Sequence, residues 1–267
     1  MQRVVTAELD LEVGVDVDLI FQITAARSMP VVLENLTFRQ GDRTYYATEI
    51  VDPFGSRLHR LRTEPGPLEV RYEATVSGRA FAPYTSELDT IGYLRPSRYC
   101  QSDEVFAHAR RQFRGLAGRE LIDAVSDYVA ASVTYTPGLS LGTDSAVTTL
   151  ASGQGVCRDY AHLVIALLRA MDVPARYTAC FAPDLVPMDF HAVAEAYLEG
   201  VWYVIDATRL SQRTSLVRIA TGRDAADCAF LSYHGGFVGL DGLRVDASVT
   251  ADAETEPDDH RALVQLS

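Results

Sequence analysis

The chain contains no lysine: all 24 basic residues are arginine. Schiff-base chemistry on a lysine is therefore excluded, and so is a phosphate-binding loop of the G-x-x-x-x-G-K-[ST] type. Cysteine is scarce. Its four copies (Cys100, Cys157, Cys180 and Cys228) lie far apart and form no C-x-x-C pair. That leaves neither a zinc signature nor a disulfide framework, so free thiols are expected. No pair of the six histidines has metal-ligand spacing, and neither a metal nor a cofactor is expected. No run approaches the ~18 apolar residues of a spanning helix. The opening MQRVVTAELDLEVGVDV alternates and carries acids where a signal peptide would be basic and then apolar. Cytoplasm is the expected compartment. Positive charge is in short supply as well, and a net charge of -12 argues against nucleic acid or a membrane surface as partner.

What is present reads as an ordinary globular protein. With 267 residues, 48% of them hydrophobic and 22% charged, the chain suffices for one large domain or two modest ones. Residues 1–100 alternate apolar and polar at period two, as in TAELDLEVGVDVDLIFQI and LEVRYEATVSG, and are broken by QGDR, DPFG and EPGP turns. A small β-sandwich-like domain is expected there. YLRPSRYCQSDEV looks like a junction, with Asp103 placed to cap a helix from about Glu104. RELIDAVSDYVAASV carries a helical apolar stripe, and a short helix is expected over Ser145 to Leu150. Strands are expected over Ala175 to Ala182, His191 to Leu198 and Val201 to Ala207. Residues 248–267 are acidic and free of aromatics, the composition of a disordered tail.

The chemistry concentrates around GQGVCRDYAHLV. From Cys157 the sequence is apolar on nearly every face, as in a buried helix, and Gly153 and Gly155 allow a sharp approach to its start. A cysteine at a helix N-terminus meets free N–H groups and the positive dipole end, which favour a thiolate and an oxyanion. The plain alternative is a small apolar residue at the edge of a core. His162 cannot serve Cys157: five helical residues on, it is turned by ~140° and raised by ~7.5 Å. Pairing with Asp159, three residues before it, is expected instead.

His191 is better placed. DFHAVAEAYLEGVWYVIDATRL reads as two strands joined at Glu199-Gly200, and a two-residue loop makes facing positions sum to 399. Val193 then opposes Asp206, and His191 lies on the same face, diagonal to it. Any odd sum preserves this arrangement and an even one abolishes it. A carboxylate orienting an imidazole that activates a thiol is the general triad arrangement. The remaining histidines (His59, His108, His234 and His260) fall in a turn, a helix surface, a Gly-rich loop and the tail. Cys180 and Cys228 read as core residues. Tyr135 and Gln154 precede the cysteine and are candidates for cleft lining or oxyanion donation, each equally readable as structural.

GVCRDYAHLVIALLRAMDVPARY followed by MDFHAVAEAYLEGVWYVIDAT resembles the bacterial transglutaminase-like superfamily, and the resemblance spans roughly Val4 to Ala247. It implies an α+β protein with a papain-like core (residues 101–247) behind a β-rich N-terminal domain (1–100), followed by the 248–267 tail. It further implies Cys157 as nucleophile, His191 as base and Asp206 as orienting carboxylate. One departure stands out: where family members commonly carry tryptophan two residues after the histidine, this chain has Val193. Its single tryptophan, Trp202, shares a face with His191 and reads either as a filler of that gap or as core. The expected function is acyl transfer on the amide bonds of a protein or peptide through a thioester, by hydrolysis or transamidation. The alternative is a non-catalytic binding or scaffolding module of the same fold.

Overall fold

The alternating N-terminal run becomes one long strand. In the computed structural model, which describes residues 1–81, 85–250 and 258–266, β1 (Gln2–Val13) buries Val5, Ala7, Leu9, Leu11 and Val13 at every second position. Six more strands follow: β2 (Asp18–Phe21), β3 (Val31–Gln40), β4 (Arg43–Tyr45), β5 (Thr48–Val51), β6 (Arg57–Leu61) and β7 (Gly66–Ser77). A helical stretch comes next, with α1 (Glu87–Gly92), α2 (Phe106–Gln112), α3 (Gly118–Ser132), the short β8 (Thr134–Tyr135), α4 (Ala146–Ser152), β9 (Gln154–Gly155) and α5 (Cys157–Ala170). The chain then forms β10 (Ala175–Phe181), β11 (Phe190–Leu198), β12 (Val201–Ile205) and β13 (Val217–Gly222), and ends with β14 (Leu231–His234) and β15 (Val238–Val249). The molecule is α+β, as the family resemblance implied.

Two sheets make the sandwich-like half, ordered β15-β1-β7-β3-β4 and β14-β2-β6-β5. Phe21 and Phe38, one from each sheet, meet with ring centroids 5.3 Å apart. The other half is the antiparallel sheet β12-β11-β10-β13 with α5 packed against β10 and β11. From Tyr160 to Ala170 every residue of α5 is buried, as its all-round apolar sequence requires.

Strand pairing departs from the expected division at residue 100. β15 pairs along nearly the whole of β1, and β14 pairs with β2, so the end of the expected 101–247 core belongs to the N-terminal sheets. Alternation marks a segment as a strand; its partner is set by long-range backbone pairing that no local pattern records. The tail departs too. Residues 251–257 lie outside the described residues, but beyond them Arg213 pairs with Asp258 at 2.9 Å, the Val204 N–H donates to the Val264 carbonyl at 2.8 Å, and Leu266 is buried. This stretch is pinned across β12 and is not a loose end. Asp103 makes no cap: α2 starts after Val105, without a side-chain capping bond.

One buried cluster ties the second sheet together and to the first half. On β11, Glu195 accepts from Arg176 (2.8 Å) on β10 and from Arg218 (2.7 and 2.8 Å) on β13, with Thr178 donating as well. Burial disfavours the Glu195 charge, but the two guanidiniums override it and hold the carboxyl well below its ordinary range. The Arg218 carbonyl in turn accepts from the Ala26 N–H at 2.8 Å.

Two outcomes follow from this architecture. Residues 1–100 alone lack β14 and β15 and should give no cooperative melt by circular dichroism; a cooperative melt would restore the division at residue 100. Glu195→Gln leaves two buried arginines under-compensated and should cost about 3–5 kcal/mol in urea unfolding, and a cost below ~1 kcal/mol would show that the cluster is not a clasp.

Candidate active site

The approach to Cys157 is built by close contact. Gly153 ends α4 with φ +65°, a left-handed conformation that favours glycine. Gly155 has no room for a side chain, because a Cβ there would lie 2.6 Å from Cβ of Asp159. Asp159 accepts from the Val156 N–H at 2.8 Å, which satisfies one free donor of the α5 N-terminus. The same carboxylate accepts from Arg158, whose guanidinium also donates to the Leu141 carbonyl at 2.7 Å. This holds the loop before α4 over the start of the helix. Cys157 is the first residue of α5, half-buried and free, and its Sγ lies 4.0 Å from the Phe190 carbonyl oxygen.

The β-hairpin carries the partners in the expected register. Tyr197 faces Trp202 and Ala194 faces Ile205, so the facing positions sum to 399. His191 and Asp206 therefore share a face, and His191 Nε2 lies 2.9 Å from Asp206 Oδ2 with both side chains buried. Asp206 also accepts from Ser211 Oγ (2.7 Å), Thr208 Oγ1 (2.6 Å) and the Thr208 N–H (3.0 Å). Burial opposes the charge of Asp206, yet His191 and these donors hold its carboxyl down at about 2. For His191, burial likewise opposes the charge, but Asp206 prevails and the imidazole is pushed up to about 10. Cys157 acts on the ring in the same direction as Asp206, while Nδ1 is buried without a hydrogen-bond partner among the described residues.

The two oxyanion candidates separate. Tyr135 is half-buried and brings its hydroxyl to the backbone of Cys157. Burial raises the phenol to about 12 despite that hydrogen bond, so it remains a donor at neutral pH. Gln154, on β9, is exposed, and its side-chain amide makes no hydrogen bond among the described residues.

Other expectations resolve around the site. His162 does not pair with Asp159. It is buried between Tyr99 and Tyr177 (centroids 5.3 Å from each), accepts from the Ala225 N–H at 3.1 Å, and is driven by burial down to about 3. Trp202 is core: its ring lies under the Arg176 guanidinium at 4.2 Å and its Nε1 donates to Thr85 Oγ1. Val193 is buried at 1% exposure, behind the site and out of the cleft wall. Cys100, Cys180 and Cys228 are buried, and burial raises all three thiols. His59 lies on β6, not in a turn, 3.4 Å from Glu49.

Cys157 and His191 open onto a cavity of about 370 Å³ walled by Tyr177, Phe190, Phe230 and Leu243. Gln22, from the N-terminal half, and Leu243, on β15, complete it. A larger cavity of about 630 Å³ lies elsewhere, around Arg3 and Arg79, and has no cysteine, histidine or carboxylate among its described lining residues. Thr208, Ser211, Asp189 and the two borrowed wall residues were not foreseen from the sequence. For Thr208 alone the sequence holds a usable signal, D-x-T after a strand, the pattern of a side chain bonding two residues on.

The comparisons with known proteins bear on this geometry. Residues 109–207 match the family model described as the transglutaminase-like superfamily. A crystal structure of a candidate cysteine protease from Cytophaga hutchinsonii is 34% identical, with a TM-score of 0.88 over 98% of this chain and 96% of that one. The chain belongs to the transglutaminase-like superfamily. The periplasmic domain of TgpA from Pseudomonas aeruginosa is similar at 20% identity and a TM-score of 0.40, over 72% of this chain and 69% of that one. An uncharacterized protein of Mycobacterium leprae is 22% identical over 190 residues, 68% of this chain and 62% of that protein, so this chain spans less than two thirds of that relative.

The buried pair makes a sharp pH statement. With its pKa raised above the ordinary ~6.5, His191 contributes stability that is fully present below pH ~6.5 and lost as pH rises toward about 10. In Asp206→Asn the larger of the influences that oppose burial is gone, so the imidazole should titrate well below the wild-type value and most of this alkaline loss should vanish. Nitrogen-15 shifts of the ring across pH 4–11, with urea melts at each pH, read both effects. An unchanged His191 titration in the variant would refute the assignment of Asp206 as its cause.

Proposed function

We propose that this protein is a cysteine-dependent hydrolase of peptide amide bonds, with Cys157 as nucleophile, His191 as acid and base, and Asp206 as orienting carboxylate. The observation that carries this reading is the buried 2.9 Å His191–Asp206 pair acting beside a cysteine at a helix N-terminus, on an open cavity. The Cys157 thiolate attacks the amide carbonyl carbon, and the Cys157 N–H and the Tyr135 hydroxyl donate to the resulting oxyanion. Collapse breaks the C–N bond as protonated His191 gives its proton to the leaving amine. The thioester is then attacked by water, which surrenders a proton to His191; the C–S bond breaks, releasing the acid and returning the thiolate. Hydrolysis is favoured over transamidation by the similarity to the Cytophaga hutchinsonii candidate cysteine protease. Replacement of the family's tryptophan by Val193 does not favour a non-catalytic module, because Val193 lies outside the cavity wall.

Alkylation by iodoacetamide, read for each cysteine by peptide mass, tests the arrangement without a known substrate. Cys157 should label fastest near neutral pH, and His191→Gln should slow it by about 10-fold or more in a protein of unchanged circular dichroism. Labelling of Cys157 that ignores His191 would overturn the proposal.

A further inference from the structure

Cavity charge adds a selectivity to the proposed reaction. Arg158 lines the cleft, but its guanidinium is engaged by Asp159 and the Leu141 carbonyl. His191 is matched by Asp206. Asp189 shares the His191 charge at a distance but has no ion pair of its own among the described residues. It stands exposed at the mouth, two residues before His191, and accepts from the Phe190 N–H at 2.7 Å. It also lines a second cavity, of about 610 Å³, which shares Leu243 with the first and continues across β1 and β15. There Arg244 is paired with Glu8 at 3.1 Å, while Asp246 is exposed and unpaired among the described residues. The continuous groove therefore carries unbalanced negative charge, and its apolar walls crowd Asp189 enough to raise its carboxyl pKa. A carboxylate that lacks a counter-ion in a groove of this kind is offset when a ligand supplies one.

We propose that Asp189 is a specificity residue that selects peptides placing a lysine or arginine side chain beside the scissile amide. The proposal rests on the acyl-transfer reading for the word scissile, but its charge preference can be measured separately. Methanethiosulfonate reagents of matched size, one carrying a trimethylammonium and one a sulfonate, each form a mixed disulfide with Cys157 and expel methanesulfinate. The ratio of their rates within one variant cancels the nucleophilicity of the thiol.

Referred to the same ratio for a small free thiol such as 2-mercaptoethanol, the cationic reagent should lead by about tenfold in wild type. Asp189→Asn should collapse most of that lead, whereas Glu120→Gln, the same loss of charge on exposed α3, should keep it. An equal ratio in wild type and Asp189→Asn, an equal loss in Glu120→Gln, or failure of the cationic reagent to label Cys157 would overturn the assignment. Failure of the acyl-transfer reading shows up differently, as labelling by the neutral iodoacetamide that does not depend on His191. Between N-acetylated peptides, arginine should exceed citrulline by a similar factor in kcat/KM. A lead confined to peptides with a free α-amine would overturn the side-chain assignment.

Discussion

Glu195 is the pivot of the second sheet. A carboxylate at 1% exposure is tolerable only while both Arg176 and Arg218 hold it, and those two residues lie on the next strand, β10, and on the one beyond it, β13. The three strands are thereby locked in register, and with them the positions at the start of β11. Four residues along that strand, on the same face by parity, sits His191, whose distance to Asp206 is set on the other side of β11 by the hairpin with β12. The N-terminal half is coupled to the same clasp through the hydrogen bond from Ala26 to the Arg218 carbonyl.

The site itself balances two opposed demands. Helix α5 is buried on all sides, so its first turn can reach solvent only where β9 and the preceding loop leave an opening. Gly153 and Gly155 make that turn possible, and Asp159 and Arg158 hold it. On the hairpin side, burial would strip the charge from His191 were it not for Asp206, which is itself held by Thr208 and Ser211. The charged imidazole thus depends on donors a full layer behind it, and the cleft in front is left to shape and charge.

Local features were legible in the sequence and long-range ones were not. The shared face of His191 and Asp206 followed from a two-residue turn, because a hairpin's register is decided within the segment that contains it. The position of Cys157 at a helix start followed from the two glycines and the apolar run. His162 misled because Asp159, three residues away on one helix, was the obvious partner; the actual partner, the Ala225 N–H, lies 63 residues on. The pairing of β15 with β1 was hidden for the same reason, and so were Gln22 and Leu243 in the cleft wall. Asp189 gave no signal beyond its nearness to His191.

The return of β15 has a consequence for the life of the chain. The segment holding Cys157, His191 and Asp206 is threaded between two portions of one sheet, and a wall of its cleft, Leu243, is made only after all three. On the ribosome, β1 must wait for more than two hundred residues before its second neighbour exists. A nascent chain with Cys157 already made therefore still lacks a finished wall to the cavity beside it. Cys157 and the cleft wall that Leu243 supplies come together only when β15 closes on β1.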